Sequence, residues 1–181
     1  MNEMFDRTSV LPVILALAMS MGLSFALTPL VKKLAVKIGA VDVPKDKRRM
    51  HDHPIPRLGG LAIFIGFVVS ALFFAQVDKQ LQGILLGSCL IVGVGVVDDS
   101  HPLGAGIKFI LQIVAALIAI WHGVVIQTIA NPLPFIGGDY WDFGLMAVPI
   151  TVIWIVAVTN SVNLIDGLDG LADGVSTIAA L

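Results

Sequence analysis

The chain has 181 residues, 57% of them hydrophobic and only 13% charged, with a mean hydropathy of +0.94; soluble domains carry about a quarter charged residues, so this is the composition of a membrane protein. A net charge of −2 excludes the strongly basic balance that a nucleic-acid partner requires. The single cysteine, Cys89, excludes an internal disulfide and a zinc site built on cysteines.

Residues 1–9 are polar, with Glu3, Asp6 and Arg7, and residues 10–31 form an apolar run about long enough to span a bilayer. Ala16-Leu17-Ala18 has the look of a leader cleavage site, but it lies inside the apolar run and the preceding segment is not clearly basic, so a first span is expected. Residues 32–57 read as a charged loop. They hold Lys32, Lys33, Lys37, Lys45, Lys47, Arg48, Arg49 and Arg57, eight of the eleven Lys and Arg in the chain. The positive-inside rule places this loop in the cytoplasm and the N-terminus outside. Spans follow over 58–77, over a short Gly-rich 83–97, over 108–125 and over 145–159. Loops are expected at 78–82 outside and 98–106 inside, with an outer hairpin at 126–144 carrying Tyr140 and Trp141 at the interface. A polar inner segment, 160–170, precedes a sixth span that begins near Leu171.

The expected fold is therefore all-α: a polytopic membrane helix bundle with five complete spans, the start of a sixth and a short outer hairpin, forming one transmembrane domain over 1–181. Only eleven residues run from Leu171 to Leu181, against about twenty for a span. The chain is thus expected to be part of a longer protein and to release no product on its own. Alternate crossings put the basic loop, the 98–106 loop and the 160–170 segment on one cytoplasmic face.

The polar residues on that face form a pattern. In Asn160-Ser161-Val162-Asn163-Leu164-Ile165-Asp166-Gly167-Leu168-Asp169-Gly170, amides and carboxylates recur every three residues. On a helix that spacing lets Asn163 and Asp166, or Asp166 and Asp169, reach a common point. Hard oxygen donors of this kind suit a hydrated divalent cation such as magnesium; the plainer alternative is an acid capping the next helix. Asp98 and Asp99 stand at the end of the third span, the negative end of its dipole. Two carboxylates there repel each other and the dipole. A bound cation or a proton retained on one acid relieves this, which leaves metal coordination and general-base action both open beside a pair of solvated loop acids. His51 and Arg57 lie in Arg49-Met50-His51-Asp52-His53-Pro54-Ile55-Pro56-Arg57-Leu58-Gly59-Gly60. This basic cluster can hold phosphate or serve as ordinary topogenic charge beside anionic lipid.

The 160–170 segment, continued by Leu171-Ala172, resembles the signature of the polyprenyl-phosphate N-acetylhexosamine-1-phosphate transferases. Gly95-Val96-Val97-Asp98-Asp99 resembles their aspartate-pair motif, and residues 49–60 resemble their first inner loop. The likeness runs over essentially the whole chain and is nearer the branch acting on UDP-N-acetylglucosamine than the pentapeptide branch. It implies a magnesium-dependent enzyme at the cytoplasmic face of the bacterial plasma membrane. Such an enzyme passes N-acetylhexosamine-1-phosphate from a UDP-sugar to undecaprenyl phosphate and releases UMP, the first membrane step of cell-envelope polysaccharide synthesis. It also implies a bundle of about ten spans, a homodimer and no nucleic-acid partner. By the same resemblance Asp98 and Asp99 are catalytic and near the metal, Asn163 and Asp166 lie beside magnesium and the diphosphate, and Asn160 and Asp169 line the nucleotide side. His51 and Arg57 match the substrate-binding loop. The resemblance does not distinguish direct attack by the lipid phosphate from a covalent aspartyl intermediate. A second metal-binding aspartate and a His/Arg-rich loop of the family are not in this sequence. The competing functions are a cation or solute transporter, whose acids would line a path, and a non-catalytic scaffold, which needs neither acid motif.

Overall fold

The computed structural model describes residues 10–42, 55–131, 139–166 and 170–180. The first helix, α1 (Leu11–Ile38), opens with Pro12, where a missing N–H costs nothing. It continues seven residues past the expected span, so Lys32, Lys33 and Lys37 are helical and not in a loop. Lysine is a good helix former, and a cation in the last turn favours the negative helix end. Gly39 then stops the helix in the left-handed conformation (φ 77°). The amide of Ala40 donates to the Ala35 carbonyl at 2.9 Å, a Schellman closure. Two short strands, β1 (Val41–Asp42) and β2 (Ile55–Pro56), pair antiparallel and close the base of the basic loop, a feature absent from the sequence reading.

Four further helices and a hairpin follow. They are α2 (Gly59–Phe74), α3 (Lys79–Ser100), α4 (Ala105–Trp121), the β3–β4 hairpin (Thr128–Ala130 with Tyr140–Asp142) and α5 (Ala147–Ile165), entered through a 3-10 turn at Gly144–Met146. A last helix, α6, covers Leu171–Ala180. Among the described residues three helices, Leu11–Ile38, Lys79–Ser100 and Gly144–Ile165 with its entry turn, are long and apolar enough to cross a membrane; α2 and α4, of 16 and 17 residues, are apolar but shorter. Phe25 (84% exposed), Trp154 (60%) and Leu145 (96%) stand bare on the outside. Large apolar side chains left in the open along every long helix mark a surface made for lipid. The chain is a multi-pass membrane protein.

Small residues hold the helices together. α1 packs on α2, α3 on α4, and α4 on α5. At the first crossing Gly66 lies against α1, where a Cβ would stand 2.6 Å from the Ser20 carbonyl oxygen. Ser24 Oγ donates across the same seam to the Ala62 carbonyl at 3.3 Å. At the second, a Cβ on Gly87 would stand 3.0 Å from the Ala115 carbonyl oxygen, and Ala115, Ala116 and Ala119 are buried. Close backbone approach through such residues is how helices associate without a hydrophobic drive. The compact core is Val31, Ala35, Ala40, Leu58 and Ala62, with Val96 of α3 packed on it. It therefore reaches the end of α3 that carries Asp98 and Asp99.

Gly66→Val should force α1 and α2 apart, because beside the Ser24 hydroxyl the Ser20 backbone carbonyl also stands in the way. An overpacking cost of about 1–3 kcal/mol is expected, read as a lowered Tm in detergent, whereas valine at Gly93, which faces open space, should leave it unchanged.

A candidate active site at the shared helix ends

Asp98 and Asp99 lie in the last turn of α3 and not in the following loop. Two features of the sequence keep that turn helical. The Ser100 hydroxyl lies 3.0 and 3.1 Å from the Val96 and Val97 carbonyls and shares its one proton between them, and the His101 amide donates to the Val97 carbonyl at 2.7 Å, which supports two of the carbonyls in the last turns. Asp98 then folds the connection back over this end. One carboxylate oxygen accepts from the Leu103 amide at 2.8 Å and the other from Lys108 Nζ at 2.9 Å. The two side chains are 26% and 40% exposed, so solvent screens the ion pair to roughly 1 kcal/mol or less; the directional bond to Leu103 fixes the carboxylate. The counter-charge expected from a bound cation is, for Asp98, supplied by Lys108.

Asp99 is half-buried beside it. Arg57, Asp98, Asp166 and Lys108 all lie within electrostatic reach of its carboxylate. These residues come from the connection before α2, the end of α3, the start of α4 and the end of α5. Arg57 is placed there because its amide donates to the Ala40 carbonyl at 3.0 Å, continuing the β1–β2 closure. Asp166 is the C-cap of α5, its amide donating to the Val162 carbonyl at 3.1 Å, and its side chain is exposed. Asn163 is exposed in the last turn of the same helix, one helical step from Asp166. Asn160 is turned toward α4. Its Nδ2 donates to Gln112 Oε1 at 2.6 Å and to the Val156 carbonyl at 2.8 Å, and its Oδ1 accepts from Gln112 Nε2 at 3.4 Å. His51 and Asp169 lie outside the described residues.

Two residues at this end escaped the sequence reading, Lys108 and Gln112. Their signal was present: a lysine in the first turn of a helix opposes the dipole and so calls for an acid partner, and Gln112 follows it at the i+4 spacing that shares a face. Among the described residues no three His, Cys, Asp or Glu side chains are grouped so as to hold a metal ion by themselves. The arrangement is instead a pair of carboxylates, Asp99 and Asp166, flanked by the cations Arg57 and Lys108, which suits a ligand bringing both phosphate charge and a metal.

The profile of glycosyl transferase family 4 matches residues 81–181, which include both acid motifs. The chain belongs to glycosyl transferase family 4. Over 167 residues, 92% of the chain, it is 41% identical to a probable undecaprenyl-phosphate N-acetylglucosaminyl 1-phosphate transferase of Bacillus subtilis. Over 87% of the chain it is 35% identical to a decaprenyl-phosphate N-acetylglucosaminephosphotransferase of Mycobacterium tuberculosis. A phospho-N-acetylmuramoyl-pentapeptide-transferase of Clostridium beijerinckii is 30% identical over 98% of the chain. The chain spans about half the length of these curated relatives, covering 46%, 40% and 57% of them respectively. As a glycosyl transferase family 4 chain it carries both acid motifs on one set of neighbouring helix ends.

Asp98→Ala should free the 101–104 connection. Loss of a charge-assisted hydrogen bond of about 1.5–3 kcal/mol should make the Leu103 amide exchange at least roughly tenfold faster in detergent micelles, with the amides of the α1–α2 core unchanged.

Proposed function

We propose that the protein to which this chain belongs transfers N-acetylglucosamine-1-phosphate from its UDP-sugar to undecaprenyl phosphate, releasing UMP, at the cytoplasmic face of the bacterial plasma membrane. The observation that carries this reading is the convergence of Asp99, Asp166, Arg57 and Lys108 from four separate chain segments. The names of the relatives support the acceptor and sugar class. The eight Lys and Arg of residues 32–57 support the cytoplasmic side. The homodimer that the resemblance implies belongs to the same proposal.

The donor set fits magnesium. This ion is commonly held by one or two carboxylates, with waters and substrate phosphates completing its shell, and Asp99 with Asp166 supplies two carboxylates from different helices. When bound, magnesium would neutralise the diphosphate of the donor and stabilise charge developing on its oxygens. Arg57 and Lys108 attract the phosphate of the lipid acceptor and orient its oxygens. Asp98, held by Lys108 and Leu103, keeps Lys108 in place. Asp99 accepts the proton of the lipid phosphate, whose oxygen then attacks the sugar-bearing phosphorus of the donor. The bridging P–O bond breaks and UMP leaves with the electron pair. Such an in-line displacement asks the protein for positioning and electrostatics more than covalent help. Asn163, one helical step from Asp166, would offer the ion a further oxygen donor; His51 and Asp169 are assigned to the sugar-nucleotide by resemblance. A transporter is disfavoured because the acids stand at helix ends, whereas transport sites lie near the bilayer midplane on broken helices.

With the full-length protein, radiolabelled UDP-GlcNAc, magnesium and undecaprenyl phosphate, lipid-linked product should form. Asp99→Asn and Asp166→Asn should each lower turnover by about 100-fold or more, the scale of losing an electrostatic catalytic group. Absence of any lipid-linked product from the wild type would point to transport, and unaltered turnover in both variants would remove these acids from the site. Single cysteines placed at 99 and 166 in a Cys89→Ser background should react with an impermeant maleimide from the same side of sealed vesicles; labelling from opposite sides would break the proposed site apart.

A further inference from the structure

We propose that Gln112 is a positioning residue: its reciprocal amide bonds to Asn160 set where the acid-bearing end of α5 stands against the Asp98–Lys108 arm. This deepens, and rests on, the reading of the site given above.

The amide of Asn160 is almost fully committed. Both of its N–H groups donate, one to Gln112 Oε1 at 2.6 Å and one to the Val156 carbonyl at 2.8 Å, while its oxygen accepts from Gln112 Nε2 at 3.4 Å. Turning either amide over would set donor against donor, so one orientation is selected. Both side chains are half-buried between α4 and α5, where an unmatched amide has little water to turn to. At the far end of α5 the Ile126 amide donates to Thr151 Oγ1 at 2.9 Å, but near the acids the Gln112–Asn160 pair is the polar contact recorded between α4 and α5 among the described residues. Around it the buried side chains of these two helices are small or apolar, Ala115, Ala116 and Ala119 on α4 and Val156 on α5, and such surfaces offer little resistance to sliding. A slip of one helical turn would carry Asp166 about 5.4 Å along the axis. One polar pair in an apolar helix seam is a known way to choose a single register.

The placement of Gln112 gives the pair its consequence. Lys108 and Gln112 stand four residues apart and so share one face of α4. Lys108 holds the α3 end through Asp98, and Gln112 holds α5 six residues before Asp166. A single helix face thus sets the distance between the two carboxylates, Asp99 and Asp166, that flank the cations. Gln112 itself touches neither carboxylate; it acts through Asn160.

The test uses the full-length protein with radiolabelled UDP-GlcNAc, magnesium and undecaprenyl phosphate, with Asp99→Asn run in parallel. Gln112→Leu should lower kcat by about tenfold or more while KM for both substrates stays within about twofold, the signature of misplacement and not lost binding. Gln112→Leu/Asn160→Leu should be no worse than either single change, because the two residues act as one unit. The swap Gln112→Asn/Asn160→Gln, which keeps the summed side-chain length, should recover most of the turnover that Asn160→Gln alone loses. If Gln112→Leu does not fold, judged by size-exclusion profile and Tm, Gln112→Asn and the swap carry the comparison. Wild-type turnover in Gln112→Leu, a rise in KM for UDP-GlcNAc at constant kcat, or a swap no better than Asn160→Gln alone would overturn the inference. The last result would place Asn160 in contact with the donor. Should Asp99→Asn keep full turnover, the reading of the site fails; should Asp99→Asn be inactive while Gln112→Leu is normal, only the role of Gln112 fails.

Discussion

Carboxylates gathered at the negative ends of helices are the constraint around which this end of the molecule is arranged. Asp98 and Asp99 close α3, Asp166 closes α5, and the helix dipoles oppose all three. Left alone they would fray the helix ends or push them apart. The chain answers with cations from other segments: Lys108 on Asp98 at 2.9 Å, and Arg57 within reach of both members of the pair. The exposed side chain of Asp166 and the half-buried one of Asp99 still leave carboxylate oxygens at these ends.

The rest of the fold serves to hold those ends still. A core of small and medium side chains, Val31, Ala35, Ala40, Leu58 and Ala62, supports the α3 end and takes in Val96 two residues before Asp98. The Gly39 stop and the β1–β2 pairing bring Arg57 back over that core. Toward the opposite end, polar bonds brace the connections: Gln80 Nε2 donates to the Gly123 carbonyl at 3.2 Å, and Thr151 Oγ1 accepts from the Ile126 amide at 2.9 Å. Between the ends, glycine and alanine seams let backbones approach, and the large apolar residues face outward to lipid.

The helices, their order and the hairpin before α5 were legible along the chain because hydropathy in a membrane protein is a strong signal and each span is local. The helix ends were less legible. Lys32 to Lys37, Asp98 to Ser100 and Asn160 to Ile165 read as loop because they are polar, yet they continue α1, α3 and α5. Polarity reports where lipid stops, not where the backbone hydrogen-bond ladder stops. The acid motifs were visible from their spacing, and their placement on one face followed from counting crossings. Lys108 was read only as the start of a span, and Gln112 as nothing in particular, since each takes its meaning from a partner ten or forty-eight residues away.

Residue order alone therefore determined a polytopic helix bundle, a basic face, and two acid-rich motifs of the kind that handle phosphate. Only the tertiary structure decided which charges meet: that Lys108 pairs with Asp98, that Arg57 returns over the core to Asp99, and that Gln112 locks Asn160. The reason is physical. Span and motif signals come from a few neighbouring residues and one solvent boundary, whereas an ion pair or amide lock depends on how helices rotate and slide against one another. Smooth seams of glycine and alanine leave that choice to the packed whole.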